Sequence, residues 1–271
     1  MPELPEVETT RRGLAPHLVG RRVLRARVRR RRLRRPVPWA LERRLPGARI
    51  EALDRRGKYL LARTDRGTLI LHLGMSGSLR LVPATARPGP HDHLDLVLDD
   101  GRALRLRDPR RFGLALWTEG DPLVHPLLAS LGPEPLDRRL RPGDLCARLA
   151  GRRAAIRNVL LDGRVVAGIG NIYANEALFL AGIHPARPAG RLGRDGCARL
   201  LRALRRVLRE SLRAGGTTLR DFVDGSGEPG RYRLRLRVYG RAGRPCPRCG
   251  TPIRRILLGQ RSAFFCPRCQ R

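Results

Sequence analysis

Residues 246–269 read CPRCGTPIRRILLGQRSAFFCPRC, with four cysteines in the spacing C-x2-C-x16-C-x2-C. Each C-x2-C pair places two thiolates on one tight turn, and a hairpin between the pairs brings the four sulfurs together. The spacing therefore predicts a structural zinc ribbon with ligands Cys246, Cys249, Cys266 and Cys269. The alternatives are a redox pair or disulfides, but two matched pairs argue against a single redox motif. Disulfides are also disfavoured because the chain shows no export signal.

The chain that carries this ribbon is strongly basic. Of 271 residues, 57 are basic and 24 acidic, which gives a formal net charge of +33. Hydrophobic residues make up 41%, so the composition is that of a folded protein rather than a disordered basic tail. Such a chain is expected to bind a polyanion, most commonly nucleic acid. Composition alone leaves ribosomal and nucleoid proteins open.

Membrane insertion and secretion are disfavoured. No apolar run approaches the roughly 20 residues that a spanning helix needs. The first residues, MPELPEVETT, are acidic, whereas a secretion signal begins with a basic region before an apolar stretch. We therefore expect no membrane partner.

Lys58 is the only lysine among the 57 basic residues. A guanidinium stays protonated at any working pH, whereas an ammonium can lose its proton when it is desolvated or lies near other cations. Lys58 is therefore a candidate general base or amine nucleophile. The alternative is that one lysine survives by chance in an arginine-rich composition.

The first half of the chain has the pattern of a helix followed by many short strands. Pro5 and Glu6 favour a helix over residues 5–19, and the arginine-rich stretch 21–35 predicts one exposed strand. From Ile50 to Trp117, short apolar runs alternate with glycine-bearing turns, which predicts a β-sandwich or barrel.

The second half has helical periodicity. A proline-rich stretch after Asp121 places the domain boundary near 130–145. Helices are predicted over 154–161, 171–181 and 197–214. The glycines before Asn171 either leave free N–H groups at a helix start for a phosphate or form a simple turn. Residues 217–230 are predicted to be a mobile loop, and residues 231–240 a strand that leads into the ribbon.

The N-terminal sequence Met1-Pro2-Glu3 contains a candidate amine nucleophile and a candidate acid. A small second residue such as proline normally allows removal of the initiator methionine, which would leave an N-terminal secondary amine. An amine of this type has a pKa near 8, so a useful fraction can attack an electrophilic carbon at neutral pH. The adjacent Glu3 is a candidate proton donor and acceptor. The alternative is an ordinary terminus.

Eight ordered motifs along residues 2–271 resemble bacterial formamidopyrimidine-DNA glycosylase. They are PELPEVETTRRGL, RRGKYLL, LHLGMSGSL, HDHLDL, RDPRRFG, HPLLASLGPEPL, VAGIGNIYANEALF and QRSAFFCPRCQ. The resemblance implies a bifunctional DNA glycosylase and lyase of base excision repair that excises oxidised purines, chiefly 8-oxoguanine and formamidopyrimidines. It also implies a monomer that binds double-stranded DNA, holds one structural zinc ion, and is located in the bacterial cytoplasm with the nucleoid.

The resemblance assigns roles to individual residues. The amine nucleophile falls on Pro2, the general acid on Glu3, and the other catalytic positions on Lys58 and Arg261. Further DNA contacts fall on phosphate-binding and base-replacing side chains, which are His72, His91, Arg110, Arg152 or Arg153, Asn171, Met75 and Phe112. The last two, with Arg110, would fill the space left by a flipped base. Cys146 and Cys197 receive no role.

The implied fold is α+β, with an N-terminal β-sandwich and flanking helices followed by a helical helix-two-turn-helix domain with a zinc ribbon. The expected ranges are 1–135 for the sandwich, 136–150 for a linker, 151–235 for the helical domain and 236–271 for the ribbon. One alternative is an endonuclease VIII-like enzyme for oxidised pyrimidines, which Leu4 disfavours because that enzyme usually has glycine there. Another is a non-catalytic zinc-ribbon DNA-binding protein, against which Pro2, Glu3 and Lys58 argue.

Overall fold

The computed structural model describes residues 2–216 and 232–271. The chain divides into two compact units, one of Met1–Ala129 with Ala214–Arg233, the other of Ser130–Arg213 with Leu234–Arg271. The predicted mobile loop 217–230 lies outside the described residues. Among the described residues, no helix has both the length and the apolar character needed to cross a membrane.

The first unit is a sandwich of two antiparallel four-stranded sheets. One sheet has the order β1-β6-β7-β5, formed by Val23–Val28, Asp92–Leu98, Arg102–Arg107 and Ser78–Pro83. The other has the order β2-β3-β4-β8, formed by Ile50–Arg56, Tyr59–Thr64, Gly67–His72 and Leu114–Thr118. Leucines of both sheets share one buried core, for example Leu69 with Leu96. The β-sandwich prediction is therefore confirmed.

Two helices flank the sandwich, and the first begins where the sequence favours a helix start. α1 spans Leu4–Leu18, with Glu3 at its N-cap and Pro5 in its first turn. Its buried face includes Val7, Leu14 and Leu18, which join the sandwich core. α2 is short, Trp39–Arg44. The prediction of a helix over 5–19 thus differs by one residue at each end.

The stretch 21–35 is not one strand, contrary to the prediction. β1 ends at Val28, whose backbone N–H donates to the Glu42 carboxylate. Beyond it, Arg29 turns inward to pair with the buried Asp95 at 2.5 Å, and Arg31 pairs with Glu42. Asp95 lies on the neighbouring strand β6, whereas Glu42 lies on α2, so the chain leaves the sheet where Arg31 reaches α2.

The second unit is built from helices and one hairpin. α3 (Pro126–Ala129) closes the first unit, and the second contains α4 (Pro142–Leu149), α5 (Ile156–Leu160), α6 (Asn171–Ala181) and α7 (Arg194–Arg213). α7 buries Leu200, Leu204 and Leu208 on one face, against α6 and α4. The hairpin consists of β9 (Arg254–Leu258) and β10 (Arg261–Phe265). The three helices predicted in this half are present.

Two predicted segments differ in this half. Residues 136–150, predicted as a linker, contain α4, because Leu145 and Leu149 are buried against the rest of the unit. Residues 231–240, predicted as a strand, contain the 3-10 helix Tyr232–Arg235. The N–H groups of Arg237, Val238 and Tyr239 then donate to the buried carboxylate of Glu176 on α6, at 2.9–3.1 Å, rather than to another strand.

Candidate functional site

The N-terminus of α1 buries the two residues predicted to start the chemistry. Pro2 is buried and Glu3 is only 2% exposed. The Glu3 N–H donates to the Glu6 carboxylate at 2.9 Å, as in a capping box. This bond fixes the backbone immediately after Pro2. The result is a proline and a carboxyl group held in one shielded place at a helix start.

A charged cluster fixes α1 against β2. The Glu8 carboxylate accepts hydrogen bonds from Arg11 and Arg12 of the same helix and from Arg55 of β2. Burial raises the pKa of Glu8, but these guanidinium groups outweigh it and lower the value to about 2. Arg11 also donates to the Leu53 carbonyl of β2 at 3.2 Å. The helix start is thus held in register with the strand that leads to Lys58.

Lys58 lies at the tip of the two-residue turn between β2 and β3. Arg56 pairs with Tyr59 across the hairpin, and Gly57 has a φ of +57°. Glycine at the first turn position with a positive φ is the pattern of a type II′ hairpin turn. The lone lysine is half-buried. It is therefore held on a stiff turn rather than on a flexible loop.

His72, at the end of β4, lies in the same corner of the sheet. It pairs with Tyr59, and the two rings are 4.8 Å apart. Burial lowers the pKa of His72 to about 4, helped by the positive charges of Lys58 and Arg34. Its Nδ1 accepts from the Gly74 N–H at 2.9 Å, so the neutral ring carries its proton on Nε2. A neutral donor of this kind suits a phosphate oxygen.

The low pKa of His72 predicts a pH dependence of stability. Because the unfolded histidine takes up its proton near pH 6.5 and the folded one only near pH 4, stability should fall as the pH decreases through this window. The loss should reach about 3 kcal/mol at most. Urea unfolding of wild type and His72→Gln between pH 7 and pH 4 measures it. The free energy of unfolding of His72→Gln should lack this part of the pH dependence. His17→Gln, at an exposed position, should retain it.

Two adjacent loops carry the predicted base-replacing residues. Met75 follows β4 and is 37% exposed, while Phe112 follows β7 and is 43% exposed. The Arg110 guanidinium lies 5.0 Å from the centre of the Phe112 ring, in cation–π contact. Large apolar side chains exposed on such loops are suited to insertion between bases.

The two histidines of the HDH motif have different surroundings. His91 is half-buried, and its carbonyl accepts the Asp108 N–H at 2.9 Å. His93 is 4% exposed, and its Nε2 lies 2.8 Å from the Asp108 carbonyl. His93 is thus structural, while His91 retains exposed surface on the same unit as Lys58 and His72.

The remaining predicted DNA contacts belong to the second unit. Asn171 is the first residue of α6, after Gly170 at the N-cap, and its side chain donates to the Ser262 carbonyl at 3.1 Å. Arg261, exposed, begins β10. Arg152 and Arg153 are both exposed, and Arg152 donates to the Arg148 carbonyl at 2.8 Å. Asn171 is therefore joined directly to the strand that carries Arg261.

Sequence reasoning missed one residue of this group. Arg157 on α5 is 1% exposed, and its guanidinium donates to the carbonyls of Leu258 and Ser262 at 3.0 and 2.9 Å. Burial and the nearby charge of Arg261 lower its pKa. The pair of bonds clamps both sides of the β9–β10 turn. Its position between Ile156 and Val159 on an apolar helix could have indicated that it is buried. In a chain with so many arginines, however, one arginine within an apolar segment does not stand out.

The four C-terminal cysteines form one cluster. Their sulfurs all lie within 4.8 Å of one another, with separations of 3.5 Å for Cys249–Cys266 and 4.0 Å for Cys246–Cys269. A tetrahedron with metal–sulfur distances of about 2.3 Å separates its sulfurs by about 3.8 Å. The geometry therefore fits a tetrahedral metal centre.

The thiol pKa values in the cluster diverge. Hydrogen bonding with Thr251 lowers the pKa of Cys249 to about 6, whereas burial and the neighbouring sulfurs raise the pKa of Cys269 to about 12. One ionised sulfur thus opposes ionisation of the next. Four thiolates in so small a space require a cation among them.

Three family models match consecutive parts of the chain. They are the formamidopyrimidine-DNA glycosylase N-terminal domain over residues 1–115, the formamidopyrimidine-DNA glycosylase H2TH domain over 131–223, and a zinc finger found in FPG and IleRS over 243–271. The second corresponds to the predicted helix-two-turn-helix domain and the third to the predicted ribbon.

Curated relatives match from end to end. Formamidopyrimidine-DNA glycosylase of Geobacter sulfurreducens is 56% identical over 271 residues, and that of Halorhodospira halophila is 59% identical over 272, each covering 100% of both chains. Among solved structures, the MutM (Fpg) protein of Thermus thermophilus has a TM-score of 0.89 and 42% identity, covering 99% of this chain and 98% of that one. A Lactococcus lactis FPG mutant in complex with Fapy-dG containing DNA has a TM-score of 0.93 and 34% identity, with full coverage of both chains.

Fold, cysteine cluster and sequence thus agree on a two-unit DNA repair protein with a zinc-finger module. The chain belongs to the formamidopyrimidine-DNA glycosylase family. The predicted family and fold class are therefore confirmed.

Proposed function

We propose that the protein is a bifunctional DNA glycosylase and lyase that excises oxidised purines from double-stranded DNA. The observation that carries the proposal is the shielded pair formed by Pro2 and Glu3 at the start of α1. Family membership supports the reaction class. Related proteins have been solved with DNA that contains Fapy-dG or a carbocyclic 8-oxo-G, which supports oxidised purines as substrates.

In the proposed reaction, Met1 is removed and the Pro2 amine attacks C1′ of the damaged nucleotide. The bond between C1′ and the base breaks, and the base leaves with the bonding electrons and takes up a proton. Glu3 protonates the ring oxygen as the sugar opens, which leaves an iminium between Pro2 and C1′. The iminium acidifies the C2′ proton, and loss of that proton expels the 3′ phosphate. A second elimination expels the 5′ phosphate, so a one-nucleotide gap with phosphate ends remains.

Side chains of both units would hold the DNA. Lys58 is assigned to the backbone beside the lesion and takes part in elimination through its amine, and Arg261 is assigned to the catalytic set. Phosphate contacts are assigned to polar and basic side chains, namely His72, His91, Arg110, Asn171 and Arg152 or Arg153. A net charge of +33 supports a strong, salt-dependent attraction to DNA and association with the nucleoid. The protein is proposed to act as a monomer.

The cysteine cluster is proposed to hold one structural zinc ion. A closed set of four sulfurs leaves no open position for substrate, so the ion would stabilise the ribbon and would not enter the reaction. The cluster packs with Phe179, Val238 and Ile253 in a small core of its own. The metal thus substitutes for a larger hydrophobic core at this end of the unit.

Loss of the metal should abolish DNA binding rather than slow chemistry in a bound complex. Cys249→Ser removes one ligand, and we expect substoichiometric zinc and loss of ordered structure after about residue 237, because metal binding and folding are coupled in such modules. Metal analysis, duplex binding and hydrogen exchange measure this. Cys146→Ser, outside the cluster, is the matched control and should retain one zinc per chain. Fully active wild type without zinc would contradict the assignment.

Borohydride trapping tests the proposed function. Reduction of the iminium should leave the protein covalently joined to a duplex that contains 8-oxoguanine, with Pro2 as the modified residue by mass spectrometry. An undamaged duplex is the control, and a duplex with an oxidised pyrimidine tests lesion class. Binding without an adduct on any duplex would refute the enzyme assignment. A stronger adduct with the pyrimidine duplex would refute the purine assignment.

A further inference from the structure

Asp108, directly after β7, is completely buried and accepts hydrogen bonds from two different loops. One oxygen accepts the Ser76 hydroxyl at 2.8 Å, and the other accepts the Gly113 N–H at 2.7 Å. Both donors are neutral. A buried carboxylate is costly to desolvate, so a pair of well-formed hydrogen bonds is the minimum that keeps it in place.

The two donors belong to the two loops that present the base-replacing side chains. Ser76 follows Met75, and Gly113 follows Phe112. The Ser76 oxygen also accepts the Arg110 N–H at 3.2 Å, which joins the loops a second time. Asp108 is therefore hydrogen-bonded, directly or through Ser76, to the segments that carry Met75, Arg110 and Phe112, the residues assigned to the space left by a flipped base.

The same residue reaches a third segment through its backbone. Its N–H donates to the His91 carbonyl at 2.9 Å, and its carbonyl lies 2.8 Å from Nε2 of the buried His93. The position of the His91 backbone is thus tied to that of the two loops. One buried residue connects a proposed phosphate contact with the base-replacing group.

The loops are also in direct backbone contact. A Cβ on Gly74 would lie 2.4 Å from the carbonyl carbon of Phe112, and one on Gly113 would lie 2.9 Å from the His72 carbonyl oxygen. Gly74 has a φ of +62°, in the left-handed region that favours glycine. The loops therefore pack directly against each other, with the Asp108 hydrogen bonds between them and Met75 and Phe112 exposed on the surface.

We propose that Asp108 is a positioning residue that holds the Met75 and Arg110–Phe112 loops in the conformation needed to replace an extruded base. An inserted side chain has to displace stacked bases without bending back, so its loop must be rigid. The inference rests on the proposed function. The inference also extends the proposed function, because it separates two steps. Base extrusion requires Asp108, whereas the chemistry at Pro2 does not.

Comparison of two substrates tests the proposal. Asp108→Ala leaves the Ser76 hydroxyl and the Gly113 N–H without their acceptor. Single-turnover excision of 8-oxoguanine should fall on the order of 10- to 100-fold, the range produced by small misplacement of a positioned group. Cleavage of a preformed abasic site, which has no base to extrude, should stay within about threefold of wild type. The fluorescence rise of 2-aminopurine beside the lesion, which reports unstacking, should shrink in parallel with excision.

Asp108→Asn should restore excision in part. The asparagine oxygen can accept the Gly113 N–H while its amide nitrogen donates to the Ser76 oxygen. The Ser76 hydroxyl then acts as acceptor instead of donor. Asp95→Asn is the control, since Asp95 is another buried carboxylate of the sandwich, held by Arg105 at 2.8 Å. It should leave the ratio of excision to abasic-site cleavage unchanged. Should Asp108→Ala fail to fold, Ser76→Ala, which removes one of the two side-chain bonds, carries the same test.

The possible outcomes distinguish failure of the role proposed for Asp108 from failure of the proposed enzymatic function. Equal loss on both substrates, or no loss on either, would overturn the assignment to Asp108 while wild-type excision still stands. Absence of wild-type excision and of trapping would instead remove the proposed function itself. A selective loss of excision with an active wild type supports both.

Discussion

Pro2→Gly should retain duplex binding and lose most 8-oxoguanine excision, by on the order of 100-fold or more. Glycine still supplies an N-terminal amine, but a primary and unconstrained one, in place of a rigid secondary amine beside Glu3. Because the substitution adds no charge and removes only a small ring, binding should change little. Equilibrium binding and single-turnover excision on the same duplex measure the two effects separately.

Pro5→Gly is the matched control for this substitution. Pro5 is also buried and lies in the first turn of the same helix, so its replacement loosens the helix start without altering the terminal amine. A helical glycine costs about 1 kcal/mol of stability relative to alanine, and excision should remain close to wild type. Wild-type turnover by Pro2→Gly would refute the nucleophile assignment.

The nucleophile also requires a processed terminus. Pro2 has a basic secondary amine only after Met1 is removed, since its nitrogen is otherwise part of an amide. Mass spectrometry of active protein should therefore show that Met1 is absent. Active protein that retains Met1 would contradict the mechanism as directly as an active Pro2→Gly variant.

The features that sequence predicted correctly depend on short-range patterns. Four cysteines at fixed spacing predict a close cluster of four sulfurs because each pair shares one turn. Pro5 and Glu6 predict the start of α1 because helix ends have specific chemistry. The alternating runs of the sandwich are also local, and each of these features is present in the structure.

The failed predictions depend on partners that are distant in sequence. β1 ends where the N–H groups of Arg29 and Arg30 both donate to the carbonyl of His93, more than 60 residues later in the chain. Residues 237–239 leave the extended pattern because Glu176, more than 60 residues earlier, accepts their N–H groups. Alternation alone contains no information about a hydrogen-bond acceptor elsewhere in the chain, so it predicted strands in both places.

The supporting residues of the site were hidden for a related reason. Asp108 stands in the RDPRRFG motif between charged neighbours, and Arg157 is one arginine of many. Each is identified only by the groups it holds, which are backbone and hydroxyl donors for Asp108 and hairpin carbonyls for Arg157. The residues proposed to contact DNA were assigned from the family resemblance, whereas the residues that support them are recognised only from their contacts.

Lys58→Arg should be far more harmful than its conserved charge suggests. Arginine can still pair with a phosphate, so DNA affinity and its salt dependence should fall only modestly. A guanidinium cannot give up its proton at working pH, so a step that needs a free amine is lost. Processing of 8-oxoguanine duplex should therefore drop by roughly a hundred- to ten-thousandfold, as expected for loss of a positioned acid or base.

Arg34→Lys provides the reverse exchange in the same electrostatic neighbourhood. The charges of both Arg34 and Lys58 lower the pKa of His72, so the two cations act on one corner of the sheet. If only charge matters there, both exchanges should have small and similar effects on single-turnover cleavage and on binding at two salt concentrations. If the amine of Lys58 takes part in elimination, Arg34→Lys should cleave at close to the wild-type rate while Lys58→Arg binds but does not cleave efficiently. Near-normal cleavage by Lys58→Arg would show that the single lysine of this chain is a remnant of composition.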